Sequence, residues 1–214
     1  TVIPYFERWM KSFPTLQKLA QAQESTVLKH WEGLGYYSRA RNLKKTAQII
    51  LKDYSGEVPD SMGEILKLPG VGRYTAGAIL SIAFGQKVPV LDGNVKRVLS
   101  RLFLLKENGS NRQSENILWE TMHSLLPETG SGDFNQAFME LGATVCLPKN
   151  PLCLLCPLKQ NCKAQKTGDQ NLYPPRKLKT PSIKIEVSAA VILRRNKIYI
   201  QKRKVGGLMG GLWE

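Results

Sequence analysis

All four cysteines of this chain fall within seventeen residues, as Cys146, Cys153, Cys156 and Cys162, spaced C-x6-C-x2-C-x5-C. Spending every thiol on one short stretch forces that stretch to fold around a common centre. In an intracellular chain such clustering argues against disulfides. It argues for a metal, because four thiolates can surround one tetrahedral zinc or the corners of an iron–sulfur cube. Pro148, Pro151 and Pro157 keep the loop irregular, as wrapping a cluster requires. Spacing alone leaves zinc and iron open, although a single C-x2-C makes an ordinary zinc ribbon the poorer fit.

The 170 residues that carry this loop read as short helices. Residues 2–12 are amphipathic, and Thr15 and Ser25 stand where N-caps belong. In the stretch from about Tyr37 to Tyr54, Ala40, Leu43, Ala47, Ile50 and Leu51 follow the helical period. Asp60 is a candidate cap for a short helix ending near Leu66. An apolar helix runs to Ala83, another spans 93–104, and further helices are expected at about 112–126 and 134–145. No alternating pattern precedes residue 183, so the body is predicted to be all-α. Residues 171–182 are rich in Pro and Lys and read as a linker. Beyond them, Ile183–Leu193 and Ile198–Arg203 read as strands joined by a turn at Arg195-Asn196.

The 214 residues carry a net charge of +14, which suits a polyanionic partner, nucleic acid first. Residues 171–214 hold ten Lys/Arg against two acids, so charge alone would place the contact at the C-terminus. The motifs point elsewhere. Leu68-Pro69-Gly70-Val71-Gly72-Arg73, set between helical stretches, is a helix–hairpin–helix pattern. Gly70 and Gly72 allow a tight turn that aims amide N–H groups outward at a helix start, a geometry that grips phosphate without reading sequence. Asp92 follows Val88-Pro89-Val90-Leu91 and precedes Gly93-Asn94-Val95-Lys96-Arg97. It is well suited to capping the next helix. Beside a sugar losing its base, the same carboxylate would stabilise positive charge at the anomeric carbon.

In this order, the segments Thr1–Phe13, Trp31–Asn42, Leu68–Ser81, Val90–Arg97 and the cysteine loop resemble the helix–hairpin–helix DNA glycosylases with an iron–sulfur cluster. Within that superfamily they are most similar to the MutY-type adenine DNA glycosylases. The resemblance implies a mainly α glycosylase body over 1–170, a linker over 171–182, and the beginning of a β-containing Nudix-like domain over 183–214. It implies a 4Fe–4S cluster on the four cysteines, and DNA contacts at Gly70, Val71 and Gly72. Asp92 would be the catalytic aspartate, with Asn94 at the flipped nucleotide's site, Tyr74 among the substrate- or DNA-binding residues and Tyr36 wedged beside the damaged guanine. The implied reaction removes adenine mispaired with 8-oxoguanine or guanine in double-stranded DNA, leaving an abasic site.

Two features separate this reading from an endonuclease III-type glycosylase/lyase. Tyr74 stands where that group has a Schiff-base lysine. Leu91-Asp92-Gly93-Asn94 replaces its Val-Asp-Thr-His-like run, and Lys96 is expected on an exposed helix face rather than as a nucleophile. A non-catalytic DNA-binding module with a structural metal is the alternative from another class. The family's general-acid glutamate lies upstream of the stretch matching Thr1, in a Ser-Glu-Val-Met-Leu-Gln-Gln-Thr-like motif that this sequence lacks. Neither Glu24 nor Glu32 has that context. The expectation is therefore a fragment, truncated at both ends and inactive alone. No membrane-spanning run or signal peptide is evident. A monomer inside the cell is expected, in cytoplasm or nucleoid if bacterial.

Overall fold

The computed structural model describes residues 2–105, 112–175, 184, 186, 188, 190–204 and 210–214. The body is helical: α1 Ile3–Ser12, α2 Leu16–Gln21, α3 Glu24–His30, α4 Ser38–Asp53, α5 Met62–Ile65, α6 Arg73–Ile82, α7 Gly93–Phe103, α8 Arg112–Leu125, α9 Ser131–Thr144 and α10 Lys163–Thr167. α2 and α3 lie against α4, α6 and α7 lie against α9, and α10 lies against α7.

Local chemistry sets several helix starts. The Thr15 hydroxyl accepts from the Lys18 amide, capping α2. α3 opens one residue ahead of the expected Ser25: Gln23 is its N-cap, and Ser25 lies inside the first turn. Ser61, rather than Asp60, caps α5 by accepting from the Glu64 amide. α9 starts earlier than its apolar period indicates, because Gly130 delivers the chain in left-handed conformation with φ +74°.

Three apolar clusters hold the body. Phe13, Leu19, Val27, Trp31 and Ala40 form one, and Ile50, Ile65, Leu68, Ala76 and Leu80 a second, with α4 contributing to both. The third unites Val90, Leu91, Val95, Leu99, Leu118, Met122 and Phe138. The residues flanking Asp92 thus belong to a core, which fixes where that aspartate stands. Crossing α9 over α7 depends on Gly142, where a Cβ would come 2.6 Å from Asn94 Cβ.

The C-terminal stretch contributes a small antiparallel pair, β1 Leu193–Arg194 with β2 Lys197–Ile198. Its turn is the expected Arg195-Asn196, both left-handed, as two-residue hairpins require. Residues 176–183, most of the expected linker and the start of the first expected strand, lie outside the described residues. No described helix is long and apolar enough to cross a membrane.

Candidate functional site

The hairpin is a braced turn. Leu68 is buried, and its carbonyl accepts from the Val71 amide at 3.1 Å. Gly70 has φ +79°, and a Cβ there would meet Asn42 Nδ2 at 2.6 Å. Thr46, also on α4, donates its hydroxyl to the Pro69 carbonyl. Gly72 is the N-cap of α6, and no side chain caps that end. The first-turn N–H groups therefore remain open to an outside acceptor at the positive end of the helix. Gly70, Gly72 and Arg73 are exposed, and the Arg73 guanidinium stacks 4.1 Å over the Trp119 ring. Gly70→Ala is expected to cost about 1–3 kcal/mol, combining a left-handed backbone with a clash. A thermal melt beside the parent chain checks this.

Asp92 is half-buried, and its Oδ1 accepts from the Val95 amide at 2.7 Å, so the aspartate is the N-cap of α7. Tyr74, on the first turn of α6, lies within its electrostatic reach: burial, and then the Asp92 charge, push the phenol up. The Tyr74 hydroxyl also reaches Met139 Sδ at 3.5 Å. Asn94, in the first turn of α7, accepts at its Oδ1 from Arg97 Nη2 at 2.9 Å. Lys96 forms an ion pair with Glu115 at 2.8 Å. Glu24 is bound to Arg41 and Glu32 to Lys29, so neither stands with Asp92.

Two arginines of α7 carry the cysteine loop. Arg97 donates to the Cys146 and Gly142 carbonyls, each at 2.7 Å, while holding Asn94. Burial holds its guanidinium below the ordinary value. Arg101 is only 3% exposed. It donates to the carbonyls of Leu147, Pro148 and Tyr173 and approaches Cys146 Sγ at 3.3 Å. Through Arg97, the loop and the start of α7 share one hydrogen-bonded unit.

Cys146, Cys153, Cys156 and Cys162 are all free thiols, half-buried around one small cavity of about 30 Å³. Among the described residues no three His, Cys, Asp or Glu side chains are grouped to hold a single metal ion. Four thiolates can hold one metal ion or the corners of an iron–sulfur cube. Burial pushes the Cys153 and Cys156 thiols up, and neighbouring thiols add to it. A guest that binds thiolates must therefore displace protons as it enters.

Tyr36 stands on a separate turn, 82% exposed and with φ +45°. Trp31 pins that turn by donating its indole N–H to the Gly35 carbonyl at 2.8 Å. Its ring packs edge-on against Trp9, with Arg39 over its face. No hydrogen bond among the described residues joins Tyr36 to Asp92 or to the hairpin. The structure thus sets Tyr74 within electrostatic reach of Asp92 and ties Asn94, through Arg97, to the cysteine loop, with Tyr36 bonded to none of them among the described residues. The bracing roles of Arg97, Arg101, Asn42 and Trp31 escape sequence reasoning. The single signal available for α7 was the pair of arginines at i and i+4.

The profile of the HhH-GPD superfamily of base excision DNA repair proteins matches residues 1–124. An adenine DNA glycosylase of Buchnera aphidicola subsp. Baizongia pistaciae (strain Bp) is 41% identical over 97% of the chain, and one of Rattus norvegicus is 48% identical over 80%. The chain spans 59% of the first relative's length and 34% of the second's. The fold is similar to that of a thermostable thymine-DNA glycosylase, with TM-score 0.69 and 30% identity over 78% of this chain and 76% of that one. It is also similar to endonuclease III in a non-covalent DNA complex, with TM-score 0.66 and 26% identity over 77% of this chain and 76% of that one. The mainly helical architecture, the exposed hairpin ahead of the capping aspartate and the match over more than half the sequence agree: the chain belongs to the HhH-GPD superfamily of base excision DNA repair proteins.

Proposed function

We propose that the chain is the central part of an adenine DNA glycosylase acting on adenine opposite 8-oxoguanine or guanine in duplex DNA. The observation that carries the reading is Asp92, a half-buried carboxylate at the head of α7, with the Tyr74 phenol beside it and the exposed hairpin one helix earlier. On this reading the hairpin amides hold a backbone phosphate, and the adenine nucleotide is flipped out of the stack. As the glycosidic bond lengthens, positive charge grows on the sugar, and the Asp92 carboxylate stabilises it. With its Oδ1 taken by Arg97, Asn94 has its amide NH2 as the end that can donate to the substrate. Position 74 offers a phenol where a lyase needs an amine, and Lys96 is engaged by Glu115. Hydrolysis without strand cleavage follows.

The four cysteines are assigned to a 4Fe–4S cluster. When bound, it would supply a cationic centre that partly offsets the charge of four thiolates and cross-links the loop. This chain's own part is to present those thiols and, through Arg97 and Arg101, to tie the loop to α7. Purified protein should contain about four iron and four sulfide per chain; stoichiometric zinc instead would sink the assignment.

Tyr36, exposed on its strained turn, is assigned to wedge beside the oxidised guanine. Trp31→Phe keeps the ring and removes the bond to Gly35. It is expected to weaken binding of the 8-oxoguanine duplex by about tenfold, equivalent to one lost hydrogen bond. Titration against an undamaged duplex, whose affinity should change less, checks it.

The test of the whole reading is single-turnover excision on a duplex with adenine opposite 8-oxoguanine, developed with alkali to reveal abasic sites. This chain is run beside one extended upstream. Excision by the extended chain, without borohydride trapping, is the expected result. Tight binding with no excision by either chain would identify a non-catalytic module, and a trapped adduct would identify a lyase.

A further inference from the structure

We propose that Asn135 of α9 is a positioning residue for Asp92, a role that rests on the catalytic reading of that aspartate. The segment Val88–Leu91, which delivers Asp92 to the head of α7, has no regular secondary structure. Its backbone polar groups therefore have no ladder partner of their own, and buried ones must find one. Asn135 provides it. The side chain is fully buried, at 0% exposure. Its Oδ1 accepts from the Val90 amide at 3.3 Å, and its Nδ2 donates to the Val88 carbonyl at 2.9 Å.

A carbonyl at one residue and an amide two residues on are the pair that a neighbouring strand would engage. One side-chain amide thus stands in for a strand. Its second N–H goes to Ser81 Oγ at 2.9 Å, and that hydroxyl donates to the Gly77 carbonyl at 2.7 Å. Every polar group of Asn135 is used. On α6, Gly77 lets the segment lie close, since a Cβ there would stand 2.3 Å from the Pro89 carbonyl oxygen. Val90 and Leu91 are buried in the core that also holds Val95.

The segment is therefore clamped between α6 and α9, and Asp92 comes two residues after the amide that Asn135 holds. An apolar side chain at 135 could fill the same space. Only an amide bonded to both Val88 and Val90 also fixes the register and direction of the segment, because any slip would leave buried groups unpaired. A small displacement of a group that must meet developing charge is felt in rate rather than in binding.

The test uses the full-length protein carrying Asn135→Ser, Ser81→Ala, Gly77→Ala or Asp92→Asn. For each, the single-turnover excision constant, the duplex affinity and the melting temperature are measured. Asn135→Ser is expected to lower the excision constant by about tenfold or more, with affinity within about threefold. Ser81→Ala, which weakens the network without touching the segment, should lower the melting temperature and leave the excision constant unchanged. Gly77→Ala, which displaces the segment from its other side, should reproduce the Asn135→Ser pattern and serves in its place if that variant does not fold. The proposal is overturned if the excision constant follows melting temperature alike in all three. It is also overturned if Asn135→Ser excises at the parent rate while Asp92→Asn is inactive. Excision retained by Asp92→Asn would instead bring down the catalytic reading beneath it.

Discussion

Asp92→Asn in the full-length protein is expected to lower adenine excision by about a hundredfold to a thousandfold, with almost no change in stability. Asparagine is as good an N-cap as aspartate, and its Oδ1 can still accept from the Val95 amide now held at 2.7 Å. The fold should therefore stay within about 0.5 kcal/mol of the parent. What disappears is the negative charge facing the sugar, and removal of one such electrostatic contact costs about 3–4 kcal/mol at the transition state. Asp92→Ala would add the loss of the cap, about 1 kcal/mol, to the same catalytic defect. Single-turnover rates beside thermal melts separate the two effects. An asparagine variant that excises within tenfold of the parent would leave Asp92 as a cap and nothing more.

The largest stability effect is expected at Arg101. Arg101→Met keeps a long side chain but leaves the partly buried carbonyls of Leu147, Pro148 and Tyr173 without their donor. A polar group left without its partner costs about 1–3 kcal/mol, so the three carbonyls together should lower the melting temperature by about 10 °C for a chain of this size. The cysteine loop should loosen with it, so iron content should fall in parallel. Arg101→Lys should recover only part, since one ammonium cannot reproduce a planar fork reaching several acceptors. A methionine variant that melts within 2–3 °C of the parent would show that the loop holds itself.

What could be read in the sequence was local. The hairpin follows from Gly70 and Gly72, the cap of α7 from Asp92 before an apolar period, and the β-turn from Arg195-Asn196. Each is a relation among residues within a few positions of one another. The helix starts that moved, at Gln23, Ser61 and Ser131, differ because capping depends on φ and ψ that propensity does not fix. The supports of the site were not legible. Arg101 reaches residues 45 to 72 positions away, and Asn135 reaches 45 to 54 positions back. A buried arginine or asparagine looks, in a sequence, like any polar residue on a helix. Only the folded chain reveals which carbonyls it serves.

Gly142 carries that lesson into sequence drift. The gap between α9 and the Asn94 backbone is one hydrogen wide. A single added methyl group would push apart two helices that contribute no reactive atom at that crossing, yet one of them begins at Asp92. Loss-of-function variants should therefore gather at this apolar, chemically silent position as densely as at the aspartate. A scan that ranks positions by charge or exposure would pass over it.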